Sequence, residues 1–196
     1  MSGARRILIA THNPGKLREF AALLAPLGFE AVGAGAMGLA EPDETADDFA
    51  GNARLKALAA AQAAGMPAMA DDSGLCVAAL GGGPGVFSAR YAAGDYPAAF
   101  GRIIAACAAA GEWRARFVCA LCLARPEGTA ATFIGQAHGV IAPAPRGAGG
   151  FGYDALFVPD GHELTYAQLG PEVKDMISHR ARAFAQVAAR LAAGVA

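Results

Sequence analysis

The stretch RRILIATHNPGKLREFAALLAPLG, residues 5–28, decides the fold. It opens with a short run that contains β-branched residues, RRILIA, and continues through a polar loop, THNPGK. Apolar residues then recur at helical spacing up to Gly28. This order predicts a strand, a loop and a helix, which is the unit from which α/β sheets are assembled.

The rest of the chain repeats this unit and adds a hairpin. FEAVGA is predicted to be a second strand, and two helices are predicted, ADDFAGNARLKALAAAQAAG and residues 96–110. WRARFVCALCLA and TAATFIGQAHGVIA, joined by RPEG, are predicted to form a long hairpin. Ser178 is the predicted N-cap of a last helix, HRARAFAQVAARLAAG. Because strand–helix units and a hairpin occur together, we predict a mixed α/β sheet.

Two central segments carry glycines and acids. PAMAD and LCVAAL are predicted to be strands on either side of an acidic turn, ADDSG. GGGPG lacks the G-x-G-x-x-G spacing of a dinucleotide-binding turn, and VFSARYA after it is not predicted to be helical. GGGPG is therefore predicted to be a tight loop.

Composition excludes several classes of protein. Hydrophobic residues make up 55% of the 196 residues against 17% charged, which favours a packed domain over disorder. The net charge of −1 predicts no binding to nucleic-acid polymers or to anionic membranes. With no apolar run of membrane length and no signal-peptide pattern, we expect a cytoplasmic protein. The four cysteines are predicted to be buried free thiols, and these are Cys76, Cys107, Cys119 and Cys122.

Lysine is scarce, and its positions are informative. The chain uses arginine as its usual cation, and lysine occurs only at Lys16, Lys56 and Lys174. An ammonium group is a compact charge that suits a phosphate oxygen, so these lysines are candidate ligands of an anion. THNPGK could receive phosphate at a helix N-terminus, although an ordinary capped turn explains the same residues.

The acidic doublet Asp71–Asp72 has two interpretations. The doublet could belong to an ordinary turn. A turn, however, does not require two carboxylates beside a buried strand. Repulsion between them there raises the pKa of one carboxylate unless a cation lies nearby. Mg²⁺ would relieve this repulsion, and Glu44 in EPDET offers a further carboxylate.

Two later motifs suggest a nucleoside site. Phe151 stands among glycines in GGFGYD and could stack on a base, or it could plug the core under a loop. His179 and Arg180 stand in the first turn of the last helix, where cations oppose the helix dipole. Either a ligand compensates them or both are solvated.

These motifs occur together and in order. THNPGK, EPDET, NARLKA, ADDSGL, GGGPGVFSARYA, GGFGYD and K-x-x-x-SHR resemble the inosine triphosphate pyrophosphatase family, over nearly the whole chain from Ile7 to Arg180. Members of that family hydrolyse non-standard purine nucleoside triphosphates, among them ITP, dITP and XTP, to the monophosphate and pyrophosphate. The resemblance implies one domain over residues 1–196, with a mixed sheet in two lobes around a central cleft. It also implies Mg²⁺ as cofactor and a homodimer.

The resemblance assigns roles residue by residue. Asp72 would be the catalytic proton acceptor, and the metal ligands would be Asp72, Glu44 and Asp71. The substrate-binding residues would be Thr11, His12, Asn13, Pro14, Gly15, Lys16, Lys56, Ser73, Phe151, Gly152, Tyr153, Asp154, Lys174, His179 and Arg180. One position departs from the family pattern, because Gly51 stands where a glutamate is expected.

Two other functions stay open at this point. One is a related septum-associated nucleotide pyrophosphatase with a different base preference, against which SHR and GGFGYD argue. The other is a nucleotide-binding sensor without catalysis, against which the acids and lysines of the motifs argue.

Overall fold

The computed structural model describes residues 5–193, which form six strands and six α-helices. The strands are β1 (Arg5–Ile9), β2 (Phe29–Gly33), β3 (Ala68–Val77), β4 (Arg114–Ala124), β5 (Ala130–Ile141) and β6 (Phe157–Pro159). The helices are α1 (Pro14–Leu24), α2 (Phe49–Ala64), α3 (Ser88–Ala92), α4 (Tyr96–Ala110), α5 (Tyr166–Ile177) and α6 (His179–Ala192).

The six strands form one mixed sheet in the order β2-β1-β3-β4-β5-β6. β1 is parallel to β2, and Leu8 of β1 lies opposite Ala68 of the parallel strand β3. β6 is antiparallel to β5, with Val158 opposite Val140. The predicted α/β fold with a mixed sheet is therefore confirmed.

The position of β1 between β2 and β3 creates a place for a ligand. The chain leaves β1 toward β2 and then returns past β1 to reach β3. Right-handed crossovers in these two directions put α1 and α2 on opposite faces of the sheet. Ligands of open α/β sheets bind beyond the carboxyl ends of the strands at such a reversal. Residues 11–16, THNPGK, follow the carboxyl end of β1 directly.

The acidic doublet lies within a strand. The prediction of two strands around a turn is wrong, since β3 runs without a break through Asp71 and Asp72. Asp, Ser and Gly are common turn residues, which is why the pattern indicated an interruption. The strand continues because both carboxylates have partners, Lys16 for Asp71 and Asn52 for Asp72. The doublet is thus held on rigid backbone.

Two short helical segments differ from the sequence prediction. VFSARYA forms a 3-10 turn at Gly85–Phe87 and then α3, although it was not predicted to be helical. The sequence pattern also misses α5, because Gly170 and Pro171 stand in its middle and Gly170 has a non-helical φ of 79°.

The other predicted helices are present, two of them with shifted bounds: α1 begins at Pro14, inside the predicted loop, and α2 begins at Phe49 rather than at Ala46. α4 occupies residues 96–110 as predicted, and α2 ends at Gly65, a left-handed C-cap. α6 begins as predicted, with the Ala181 N–H donating to Ser178 Oγ at 3.1 Å. Gly194, the last residue of the predicted helical stretch, lies outside the described residues.

The chain divides into two compact units with different cores. The first unit holds the residues up to Asp72, Ala120–Ile134 and the residues from Ala183 onward, and its core is rich in alanines of α2 and the central strands. The second unit holds Ser73–Cys119 and Gly135–Arg182, and its core contains several aromatic rings. The small side chains of the first core allow close contact of helix and sheet, whereas rings fill the second.

The cysteine prediction is confirmed, since all four cysteines are buried and none of them forms a disulfide. Within residues 5–193, no helix is both long enough and apolar enough to span a membrane.

Candidate active site

The loop after β1 is organised by Asn13. Its Oδ1 accepts hydrogen bonds from the Gly15 and Lys16 N–H groups at 2.8 and 3.2 Å, and its own N–H donates to Thr11 Oγ1 at 3.1 Å. Asn13 is therefore the N-cap of α1. Because Asn13 already accepts hydrogen bonds from the Gly15 and Lys16 N–H groups, the Lys16 side chain is the group of this loop that would bind an anion.

His12 connects this loop to the segment before Glu44. The His12 ring lies 3.0 Å from the Leu39 carbonyl oxygen through Nε2 and 3.4 Å from Glu41 Oε2 through Nδ1. Both contacts reach the chain that leads to the EPDET motif. His12 thus ties two motif-bearing loops of the first unit together.

Three acids and two lysines form what we call the acid–lysine cluster, made of Lys16, Glu44, Lys56, Asp71 and Asp72. Lys16 Nζ lies 2.9 Å from Asp71 Oδ2, and Lys56 Nζ lies 2.5 Å from Glu44 Oε1. With all five groups ionised, three negative and two positive charges leave one negative charge. The cluster therefore attracts a cation.

Lys56 keeps its charge although it is buried. Burial lowers the pKa of its ammonium group, but the hydrogen bond with Glu44 and the charges of Asp71 and Asp72 outweigh this effect. The pKa of Lys56 consequently lies above its usual value of 10.5. Lys56 thus presents a fixed positive charge inside the first unit.

Asp72 is a buried carboxylate of the cluster whose pKa is clearly perturbed. Its residue is 5% exposed, and Asn52 Nδ2 donates to its Oδ2 at 3.1 Å. Burial raises the pKa of Asp72 from 3.8 to about 6, against the lowering effect of Lys56 and of the Asn52 hydrogen bond. A carboxylate with this pKa can accept a proton near neutral pH.

The three predicted metal ligands do not form a closed metal centre. Among residues 5–193, no three His, Cys, Asp or Glu side chains are grouped to hold an ion. Adjacent residues of a strand point to opposite faces, which explains why Asp71 meets Lys16 of α1 while Asp72 meets Asn52 of α2. A divalent cation here would need further ligands from water or from a substrate.

The second unit contains a separate set of predicted residues, which we call the Phe151 group, made of Phe151, Asp154, Lys174, His179 and Arg180. Asp154 Oδ2 accepts from the Phe151 N–H at 2.8 Å and from Lys174 Nζ at 2.6 Å. Lys174 Nζ also lies 4.4 Å from the centroid of the Phe151 ring, within cation–π range. The ring itself is 40% exposed. The alternative of a plug beneath a loop is therefore wrong.

His179 and Arg180 are buried in the first turn of α6. His179 stacks on Phe117 with centroids 4.7 Å apart and planes at 10°, and the Arg180 guanidinium carbon lies 5.9 Å from the Phe151 centroid. Both residues are less than 5% exposed, so the alternative that they are merely solvated is wrong. Hydrogen-bond donors buried at a helix N-terminus, one of them the arginine cation, favour an anionic or carbonyl ligand.

The remaining predicted residues have other surroundings. Tyr153 is buried, and its hydroxyl donates to the Ser88 carbonyl at 2.7 Å, which makes it part of the second core. Gly152 has a φ of 62°, which favours glycine at this turn, and Ser73 is half-buried on β3. Asn52 was not among the predicted site residues. The signal for it was its place in NARLKA, four residues before Lys56 and one helical turn away.

A buried carboxylate flanked by two lysines beside a sheet reversal is an arrangement suited to phosphate chemistry, in which charge must be cancelled and water activated. The chain belongs to the Ham1 family, whose sequence model matches residues 7–190.

Individual relatives agree with this assignment. A protein of Rhodospirillum centenum named dITP/XTP pyrophosphatase is 52% identical, over 94% of this chain and 93% of the relative. One of Rhodopseudomonas palustris with the same name is 49% identical, over 96% and 97%. Among solved structures, a HAM1 protein from Coxiella burnetii superposes with a TM-score of 0.88 at 36% identity, covering 96% of this chain and 98% of that one. The resemblance stated from the motifs is confirmed.

Proposed function

We propose that this protein hydrolyses non-standard purine nucleoside triphosphates, dITP, XTP and ITP, to the nucleoside monophosphate and pyrophosphate. The enzyme class, a nucleoside triphosphate pyrophosphatase, rests on the names of its relatives. The structural observation that supports the proposal most directly is Asp72, a carboxylate whose pKa is raised to about 6 by burial, in a cluster that also contains Lys16 and Lys56. The resulting activity would remove unusual nucleotides from the precursor pool.

In this proposal Asp72 accepts a proton from the attacking water. A base is effective when its pKa lies near the working pH, and general base catalysis contributes about 10²- to 10⁴-fold to the rate. Lys16 and Lys56 each already hold one acid, and an ammonium group has three N–H donors. Their remaining donors would bind the oxygens of the triphosphate.

Mg²⁺ is the proposed cofactor, and the donor set fits it. Carboxylate oxygens are its usual protein ligands, and it commonly binds through one or two of them together with waters and substrate phosphates. Asp72, Glu44 and Asp71 are the residues that would hold it, with the negative excess of the acid–lysine cluster as attraction. When bound, it would neutralise charge on the phosphates during attack by water.

Selection of the base is proposed to rest on the Phe151 group. A 6-oxo purine presents a hydrogen-bond acceptor at C6, whereas adenine presents an amino donor there. Lys174, His179 and Arg180 are donors, so adenine would leave a buried donor unmatched, which discriminates by about 10³-fold or more. The exposed Phe151 ring offers a surface for stacking.

The decisive experiment is a pyrophosphate-release assay with dITP, XTP, ITP, GTP and ATP, with Mg²⁺ and with excess chelator. We expect turnover of the first three, little of ATP, and none without metal. Lys56→Ala and Lys16→Ala should raise KM for dITP while leaving deoxyinosine binding unchanged. Absence of turnover together with tight dITP binding would instead identify a nucleotide-binding sensor.

Arg180→Ala tests the choice of base. The kcat/KM ratio of ITP to ATP should fall towards one in this variant. An unchanged ratio would refute the base-selecting role of the Phe151 group while leaving hydrolysis intact.

Two further properties are proposed from the family resemblance. The protein would act in the cytoplasm and as a homodimer. Sedimentation analysis tests the second property, and a monomer at micromolar concentration would contradict it.

A further inference from the structure

Asn52 is a fully buried polar residue in the fourth position of α2. It is 0% exposed, and asparagine is both a weak helix former and costly to bury without hydrogen bonds. Its side chain makes two, one with the Ala46 N–H at 2.9 Å and one with Asp72 Oδ2 at 3.1 Å. The amide therefore bridges the loop before α2 and the acidic strand β3.

The backbone fixes which way round the Asn52 amide lies. The Ala46 N–H can only donate, so the atom of Asn52 that faces it must be the acceptor, Oδ1. The other atom, which faces Asp72, must then be the donor Nδ2. Asp72 Oδ2 is thereby engaged as an acceptor, and the orientation of the whole carboxylate follows.

We propose that Asn52 is a positioning residue, which holds the Asp72 carboxylate by its Oδ2 so that its Oδ1 is directed at the reacting water or metal. The inference rests on the proposed function of Asp72. Rotation of a carboxylate about χ2 is soft, with broad and roughly two-fold minima. Among residues 5–193, Asn52 Nδ2 is the one hydrogen-bond donor to this carboxylate. No second hydrogen bond therefore limits its rotation about χ2. The Ala46 bond of Asn52 keeps the donor itself from rotating.

The two hydrogen bonds predict different kinetic effects. Loss of the hydrogen bond to Asp72 leaves this general base present but in the wrong orientation. This lowers kcat, because a misplacement of about 1 Å reduces the rate about 10²-fold. Loss of the Ala46 bond frees the loop that carries Glu44, the partner of Lys56, and would act on triphosphate binding and hence on KM. A fall in kcat that exceeds any rise in KM is therefore the mark of positioning.

The test compares Asn52→Ala and Asn52→Leu with wild type in the dITP assay. Leucine keeps the branched shape and the number of heavy atoms of the side chain and removes both hydrogen bonds, so it covers the case in which the cavity left by alanine prevents folding. We expect kcat to fall about 10- to 100-fold in both variants, and any rise in KM, which would report the lost Ala46 bond, to be clearly smaller than the fall in kcat. Ala60→Gly is the control, because it weakens the same helix without touching Asp72. It should keep the wild-type kcat.

The outcomes separate this inference from the proposed function. A wild-type enzyme that releases no pyrophosphate from any triphosphate contradicts the function itself. An active wild type with undiminished kcat in the Asn52 variants overturns the positioning role. The same follows if KM rises at constant kcat, or if Ala60→Gly loses as much kcat at an equal loss of melting temperature.

Discussion

Asp72→Asn should make the metal-free protein more stable while it abolishes activity. The substitution preserves shape and removes a buried negative charge. A pKa raised from 3.8 to about 6 means that the fold penalises the ionised form by about 3 kcal/mol, at about 1.4 kcal/mol for each tenfold change. Asparagine resembles the neutral acid, and its carbonyl can still accept the Asn52 hydrogen bond.

The sign of the pH dependence follows from that raised pKa. Above about pH 6 Asp72 is ionised in the folded and the unfolded chain, and the folded state carries the whole penalty. Between pH 6 and 4 the folded state takes up a proton first, so the penalty shrinks as the pH falls. We expect Asp72→Asn to gain about 3 kcal/mol at pH 8 and about half of that at pH 5.

Urea denaturation of metal-free wild type and Asp72→Asn at pH 8 and pH 5 measures this difference, and a pyrophosphate-release assay at pH 8 measures activity. The variant should lose about 10²- to 10⁴-fold in kcat. Added Mg²⁺ should stabilise wild type more than the variant, because the variant lacks one of the three proposed carboxylate ligands. A variant less stable than wild type at pH 8 would refute the burial argument, and near-native turnover would refute the catalytic role.

Two further substitutions test packing and charge. Lys174→Met should lower the free energy of unfolding by about 3–5 kcal/mol, because it removes the ammonium group that lies 2.6 Å from the buried Asp154 carboxylate. A loss under about 1 kcal/mol in urea denaturation would contradict a strong ion pair. Gly51→Ala should destabilise by about 1–3 kcal/mol despite its better helix propensity, since the new Cβ would lie 2.6 Å from Ala46 Cβ. Ala46→Gly in the same chain should restore the loss, and failure to do so would contradict this explanation.

Local signals predicted most of the elements of the first unit. The β-branched run before THNPGK acts within a few residues, so the sequence is sufficient to predict β1. The helix α1 was also predicted, but it begins at Pro14, inside the predicted loop, because Asn13 caps it there. Gly65 likewise ends α2 through its own left-handed backbone conformation. The same local reasoning fails at β3, where turn-forming residues lie in a continuous strand because distant partners satisfy them.

The sequence by itself singled out the candidate residues of the proposed chemistry, through ordered motifs that place acids, lysines and an aromatic residue at fixed positions. Only the tertiary structure decided how those groups pair. Lys16 meets Asp71, Lys56 meets Glu44, and Asn52 meets Asp72 because the reversal at β1 puts α1 and α2 on opposite faces of the sheet. Such contacts join residues far apart in the chain. Which residues meet depends on the order of the strands in the sheet and on the face of β3 that each side chain occupies. A short-range sequence pattern contains neither.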